Sequence, residues 1–253
     1  MKNKKTVVIT GGNRGIGLGI TKAFLKNNYN VFVGSRTGFS KERGDLNIKY
    51  VNHFKMDVRN YNDHIKLAKK AIALTGNLDC YINNAGYSKW VSISNIEEKF
   101  LNNILETNLK GVFWGCKAAA KLLKSENPSI INVSSLAGKR GSLNNSAYVA
   151  SKFGVNGLTQ SLAKELGEKN IRVNAVCPVL IATKGLITAL EEEEAPGKNG
   201  AINFIEEFSR INSPLKRMPT AEEVAEMCLY LASDKAKAIN GQCINVDCGV
   251  LPQ

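Results

Sequence analysis

The stretch TVVITGGNRGIG, residues 6–17, decides the fold. Five apolar or β-branched residues stop at a pair of glycines, and helical spacing opens directly after them. TVVIT (6–10) reads as a buried strand and GIGLGITKAFLKNNY (15–29) as a helix. Between them Gly11, Gly15 and Gly17 permit a tight turn and the close approach of a pyrophosphate. The start of the helix offers free N–H groups and the positive end of its dipole to that anion. A strand before and a helix after are the context that a dinucleotide site requires.

The same alternation continues outward. NVFVGS (30–35), YVNHFKMDV (50–58), LDCYINNAG (78–86), SIINVSS (129–135), IRVNAVCP (171–178) and GQCINVDCG (241–249) read as strands. Helical periods lie between them at 62–74, 94–124 and 147–167. TAEEVAEMCLYLAS (220–233) opens with a Thr cap and has Glu223 three residues on, a capping box. The expected fold is therefore α/β, a single-domain Rossmann-type doubly wound parallel sheet of about seven strands with helices on both faces. No internal repeat or Pro/Gly linker divides the chain, so residues 1–253 are expected as one domain. The acidic run EEEE (191–194) is expected on a solvated helix face.

The charge balance is basic, +12, but the cations are spread along the chain with no run longer than KNKK. Neither a recognition motif nor aromatic–basic interleaving supports a nucleic-acid partner. Nothing approaches 18 consecutive apolar residues, and the apolar run near the N-terminus is too short for a signal segment. Membrane partners are not expected. The six cysteines are scattered without a CxxC, as reduced cytoplasmic thiols would be, and no metal site is expected.

In open α/β sheets ligands bind at the carboxyl ends of the strands. Those ends carry Asn83-Asn84-Ala85-Gly86, Ser134-Ser135 and CPVLIAT (177–183). In AYVASKFG (147–154), Tyr148 and Lys152 are spaced i and i+4, on one helix face. Alone, that pair also fits a Tyr stacked on a Lys stem at a surface. A cation there would lower the phenol pKa from about 10.

Together Gly11-x3-Gly15-x-Gly17, Asn83-Asn84-Ala85-Gly86, Asn108, Ser135 and Tyr148-x3-Lys152 resemble the short-chain dehydrogenase/reductase family over essentially the whole chain. Ser135 lies 13 residues before Tyr148 and Asn108 lies 27 before Ser135, separations typical of that family's catalytic set. The resemblance implies hydride transfer between a nicotinamide and a carbonyl or secondary alcohol. Tyr148 would move the proton, with its pKa drawn toward neutral by Lys152. Lys152 would also bond the nicotinamide ribose. Ser135 would hold the carbonyl oxygen, and Asn108 a water linking Lys152 to solvent. Asn108 otherwise reads as an exposed Asn in mid-helix, Ser135 as a strand-end cap, and Ser134 as such a cap beside it.

The resemblance further implies a cofactor cradle of Gly11, Asn13, Arg14, Gly15, Ile16, Gly17, Val58, Asn84, Ala85, Gly86, Tyr148 and Lys152. Pro178, Ile181 and Thr183 match the family's segment over the nicotinamide carboxamide. Asp57 matches the Asp that bonds the adenine amino group, or caps the following helix. Asn83 is expected to tie strands together instead of touching ligand. Folds that select NAD place an acidic residue about 20 residues beyond the glycine turn. Here Ser35 and Arg36 stand there, and Arg14 opposes the helix dipole without an anion. NADP is therefore the expected cofactor, its 2′-phosphate gripped by Ser35, Arg36 and Arg14; the two arginines are otherwise simply solvated.

Val179 stands where the family has Gly, which puts the local backbone path in question. Cys248 also replaces a common Gly. Residues 184–218 are expected as two short helices forming a lid, their apolar residues packing the lid down rather than meeting substrate. The length of that segment favours a small polar or sugar-like substrate. A 3-oxoacyl-acyl-carrier-protein reductase is the alternative, with GKRG (138–141) docking an acidic carrier. A non-catalytic NADP-binding regulator is the alternative of another class. The small and apolar residues of GCKAAAKLL (115–123) and GVNGLTQSLAKEL (154–166) point to a homo-oligomer, dimer or tetramer.

Overall fold

A computed structural model of the chain describes residues 4–39, Gly44 and 50–252. Its strands are β1 (Thr6–Thr10), β2 (Asn30–Ser35), β3 (Val51–Lys55), β4 (Cys80–Asn83), β5 (Ser129–Val133), β6 (Arg172–Pro178) and β7 (Cys243–Val246). Its helices are α1 (Gly15–Lys26), α2 (Tyr61–Thr75), α3 (Glu98–Leu105), α4 (Gly111–Leu122), α5 (Ser146–Gly167), α6 (Lys184–Leu190), α7 (Ala201–Asn212) and α8 (Ala221–Ala232). The strands form one seven-stranded sheet in the order β3-β2-β1-β4-β5-β6-β7, every pairing parallel. The order reverses between β1 and β4, and that switch point opens the crevice where such sheets bind ligands.

Side chains alternate across β1, so Val7 and Ile9 face one layer and Val8 the other. Val7 and Ile9 meet α1 and α8 through Ile20, Phe24, Val224 and Cys228. Val8 meets α2, α4 and α5 through Leu67, Cys116 and Val155. Both faces of the sheet are covered, which is why its central strands read as unbroken apolar runs. The capping box at Thr220 and Glu223 forms as expected.

Three local expectations are corrected. The helix expected over 94–124 is interrupted: α3 ends at Leu105, a π-helical turn spans Glu106–Lys110, and α4 resumes at Gly111. The wider turn brings Asn108 inward, where it is wholly buried and not on the surface. EEEE (191–194) is not a helix face, because α6 ends at Leu190 and the run continues as a turn. The carboxylate of Glu194 accepts hydrogen bonds from the Ser92 backbone N–H and from Asn95 Nδ2, the latter at 2.9 Å. Val179 has no positive φ; its N–H donates to Val246 O at 3.3 Å, so valine fits the path. Cys248 does adopt φ 54°, a conformation that favours Gly. None of the six cysteines is in a disulfide.

Beneath α2, His64 Nε2 donates to Val58 O at 2.8 Å. A carbonyl can only accept, so Nδ1 carries the lone pair and takes the Tyr81 hydroxyl proton at 2.8 Å. Burial holds the His64 pKa below its ordinary 6.5. The fold thus binds neutral imidazole. Its contribution is complete above the unfolded-state pKa and is lost as pH falls toward the folded one. We expect thermal unfolding to shift to lower temperature between pH 7.5 and 5.5, by up to ~1.4 kcal/mol per pH unit. The shift should flatten in His64→Gln, as measured by calorimetry across that range.

Candidate active site

Strand β1 ends at Thr10, and its backbone turns through Gly11 at φ 65° and Gly15 at φ 52°. The turn is so tight that a Cβ on Gly17 would collide with Gly11 O. A Cβ on Gly11 would stand 3.0 Å from the Ala85 Cα. Asn84 closes the crevice between β1 and β4: its Nδ2 donates to Thr10 O at 3.0 Å and Gly11 O at 3.1 Å. Asn13, buried, donates through Nδ2 to Gly38 O at 2.8 Å and braces the loop after β2. Asn83 ties β4 to β5 as expected, donating to Asn132 Oδ1 at 2.9 Å.

Helix α1 starts at this turn without an acidic residue in its first turn and without a side-chain cap from Arg14. Its first N–H groups are therefore left for an anion. Thr183, the cap of α6, sits over the turn, its Cγ2 3.4 Å from where a Gly15 Cβ would lie. The donor set and the side-chain-free cradle fit the diphosphate of a dinucleotide. Pro178 and Ile181 line the adjoining cavity with Ile16 and Tyr148.

At the far end of β2, Ser35 is buried and its hydroxyl donates to Thr37 O at 2.6 Å. It therefore accepts from His53 Nε2 at 2.8 Å. With its proton committed, Ser35 contributes here by leaving out a carboxylate, not by offering a donor. Nothing in the sequence singles out His53; the parallel register of β2 and β3 brings it there. Arg14 and Arg36 are exposed and in no ion pair among the described residues. The Asp57 carboxylate is taken by Arg59, whose guanidinium approaches to 2.6 Å and holds its pKa below the ordinary value. Asp57 does not cap α2; Asn60 does, accepting from Asn62 N at 3.0 Å. Val58 packs against the Gly111 end of α4 and supplies the carbonyl that fixes His64.

Across the switch point the second set converges. Ser135 caps a short 3₁₀ turn, accepting from Ala137 N at 3.1 Å. That bond orients the oxygen and leaves its O–H free to donate. Ser134 instead bonds Lys152 O at 3.3 Å and anchors α5. Asn108 accepts from Tyr87 N at 3.1 Å and donates to Tyr87 O at 2.8 Å, clamping the strand exit beyond Gly86. A Cβ on Gly86 would meet Asn108 Oδ1 at 3.1 Å.

Tyr148 and Lys152 share one face of α5, with Lys152 Nζ 5.7 Å from the centre of the Tyr148 ring. The expected lowering of the phenol pKa is absent. Burial raises it, and the Ser135 hydroxyl offsets only part of the rise. Lys152 is turned to Val133 O, to which Nζ donates at 2.9 Å. Its own pKa falls to about 8, because burial penalises the ammonium. The arrangement is a protonated phenol with an ammonium behind it that titrates near neutrality. It can deliver a proton to an oxygen held at Ser135 and be refilled from Lys152.

The cavity over Tyr148 is walled by Trp90, Leu180, Leu186, Phe204 and Phe208, with Ser88, Arg140, Ser142 and Asn145 among its polar members. Residues 184–218 form two helices, and their apolar residues divide. Leu190 and Ile205 pack beneath with Trp90, whereas Leu186, Phe204 and Phe208 line the cavity. The expectation of packing alone is corrected, since the amphipathic period of α7 does not distinguish the two roles. Arg140, expected on a docking surface, lines the cavity too.

Residues 11–251 match the family model described as "Enoyl-(Acyl carrier protein) reductase". The chain is 34% identical over 259 residues to the 3-oxoacyl-[acyl-carrier-protein] reductase FabG of Chlamydia muridarum, covering 97% of each. It is 34% identical over 257 residues to FabG of Staphylococcus aureus, covering 99% of each. Among solved structures, Thermoplasma acidophilum aldohexose dehydrogenase in ligand-free form superposes with TM-score 0.88 at 30% identity, covering 99% of this chain and 98% of that one. A single-substitution variant of actinorhodin polyketide ketoreductase with NADPH superposes with TM-score 0.88 at 29% identity, with the same coverage.

If Tyr148 draws on Lys152, kcat/KM for carbonyl reduction should hold level at lower pH and fall as pH rises through about 8, where Lys152 loses its proton. The raised phenol pKa keeps Tyr148 protonated over that range, so the fall belongs to the lysine. A profile level to about pH 9.5, well beyond the lysine's titration, would remove Lys152 from this role.

Proposed function

The chain belongs to the short-chain dehydrogenase/reductase family, and we propose that it reduces a carbonyl of a small substrate, or oxidises the matching secondary alcohol, with NADP(H). The observation that carries the reading is that Ser135 and Tyr148 face one cavity beside the glycine turn, with Lys152 Nζ 5.7 Å from the centre of the Tyr148 ring. When bound, the nicotinamide supplies hydride to the carbonyl carbon. Ser135 fixes the carbonyl oxygen with its free O–H, and Tyr148 gives that oxygen a proton. Lys152 restores the phenol's proton, and the buried clamp of Asn108 on Tyr87 keeps the wall of the site in place. The apolar side chains of Leu186, Phe204 and Phe208 limit water over the reacting carbon.

The preference for NADP(H) rests on Ser35 standing in place of a carboxylate at the end of β2 and on two exposed arginines with no ion pair among the described residues. Arg14 and Arg36 receive the 2′-phosphate, and the Arg fork suits a bidentate contact. A second reading, reduction of a 3-oxoacyl thioester, is favoured by what the FabG relatives are named for. Sugar oxidation is what the aldohexose dehydrogenase is named for, and a keto-sugar therefore belongs in the same substrate panel. Self-association is proposed through α4 and α5, where Phe113 and Phe153 stand nearly half exposed. No helix among the described residues is long and apolar enough to cross a membrane; the unpaired thiols favour the cytoplasm.

Tyr148→Phe should keep the fold and cofactor binding and lower kcat by about 10²–10⁴-fold. Turnover within a few-fold of the parent would sink the role of Tyr148. With one substrate, kcat/KM should favour NADPH over NADH by ~10² or more, from two charged contacts of roughly 1.5–3 kcal/mol each. Ser35→Asp combined with Arg36→Ala should move the preference toward NADH; equal use of both cofactors by the parent would contradict the assignment.

A further inference from the structure

Among the described residues Arg140 is the single charged side chain lining the cavity over Tyr148, and no Asp or Glu lines it. Among the described residues no carboxylate lies within ion-pair reach of its guanidinium. Its guanidinium lies over the ring of Phe208, the guanidinium carbon 5.9 Å from the ring centre. A cation stacked on a ring face keeps the N–H donors at its edge free. The residue is half-buried, and its backbone N–H donates to Leu136 O at 3.2 Å, fixing it to the turn that Ser135 caps. The same loop therefore aims a hydroxyl at the carbonyl oxygen and a guanidinium at another part of the substrate.

A lone cation in a largely apolar wall calls for an anionic partner, because attraction to an anion grows as water is excluded.

Resting on the carbonyl-reductase reading above, we propose that the substrate carries an anionic group, carboxylate or phosphate, and that Arg140 selects for it. The substrate is thus an oxo acid or oxo phosphate. Its carbonyl lies at Ser135 and Tyr148, its anion at the Arg140 fork, and its apolar stem along Leu186, Phe204 and Phe208. The stacking of Arg140 on Phe208 links arrival of the anion to the position of α7.

The test compares an oxo acid, its methyl ester and an oxo phosphate of matched length, with NADPH, in the parent, Arg140→Gln and Arg140→Lys. The parent should favour an anion over the ester by about 10- to 100-fold in kcat/KM, the size of a hydrogen bond to a charged partner. Arg140→Gln should collapse that ratio, chiefly through KM of the anion, and Arg140→Lys should retain part of it. Carboxylate and phosphate are separated by which anion gains more. Equal use of acid and ester by the parent, or equal losses on both in Arg140→Gln, would overturn the proposal and leave Arg140 as a fastening for α7. Should no ketone be turned over, the carbonyl-reductase reading fails by itself. The oxo acid is then titrated against Trp90 fluorescence with NADP⁺ present, in parent and Arg140→Gln. Tighter binding of acid than ester, lost in the variant, upholds the anion site, and indifference to charge rejects it.

Discussion

A backbone carbonyl with no room for a methyl group beside it governs the rest of this molecule. Gly11 O lies where Gly17 must pass, and the same oxygen receives the Asn84 amide from across the sheet. Three separate segments meet at that atom: the end of β1, the first turn of α1 and the exit of β4. Their meeting fixes where α1 points its unpaired N–H groups. It also fixes where β4 releases the chain into Ala85 and Gly86, beside Asn108 and Lys152. The glycine turn and the surroundings of Lys152 are thus linked through one contact, although Gly11 and Lys152 are far apart in the chain.

Electrostatics divides the site in two. The cradle side carries the exposed Arg14 and Arg36 and the first N–H groups of α1, suited to anions in water, while its Asp57 carboxylate is taken by Arg59. The Tyr148 side is enclosed, and enclosure acts oppositely on its two partners. It keeps the phenol protonated and brings the ammonium down to about 8. Burial, more than the mutual influence of Tyr148 and Lys152, sets the protonation states in this structure, since Lys152 directs its protons to Val133 O. Burial alone is what brings this lysine's titration down toward neutrality.

Much of this is legible in the residues. Period-2 and apolar patterning marks the seven strands, since both sheet faces are covered and little else produces such runs. The glycine spacing locates the turn, because few side chains survive at φ 65° or against a carbonyl. What is not legible is non-local. His53 reaches Ser35 only through the register of two strands, and Arg59 claims Asp57 by a local fold-back that composition does not signal. The π-helical turn at Asn108 inserts an offset that 3.6-residue periodicity cannot carry. Arg140 reads as surface because charge normally means solvent, and only the tertiary course of α7 covers it. Cavity walls are composites of distant segments, so substrate recognition is the last property a linear reading reaches.

The partnership of α1 with α8 has a bearing on how the protein is made. A Cβ on Gly19 would stand 3.0 Å from Ala221, so the two helices pack backbone to backbone. Their shared apolar layer covers one face of β1. A ribosome completes α1 roughly 200 residues before α8, and at synthesis rates of about 5–20 residues per second that interval is on the order of 10–40 s. For that time Ile20 and Phe24 have no lid. Strand β1 lies inside the sheet between β2 and β4, and it must wait for β4 before both its edges are paired. The apolar face of α1 is therefore uncovered for far longer than the edges of β1 are unpaired, since β4 follows β1 by about 70 residues and α8 follows α1 by about 200.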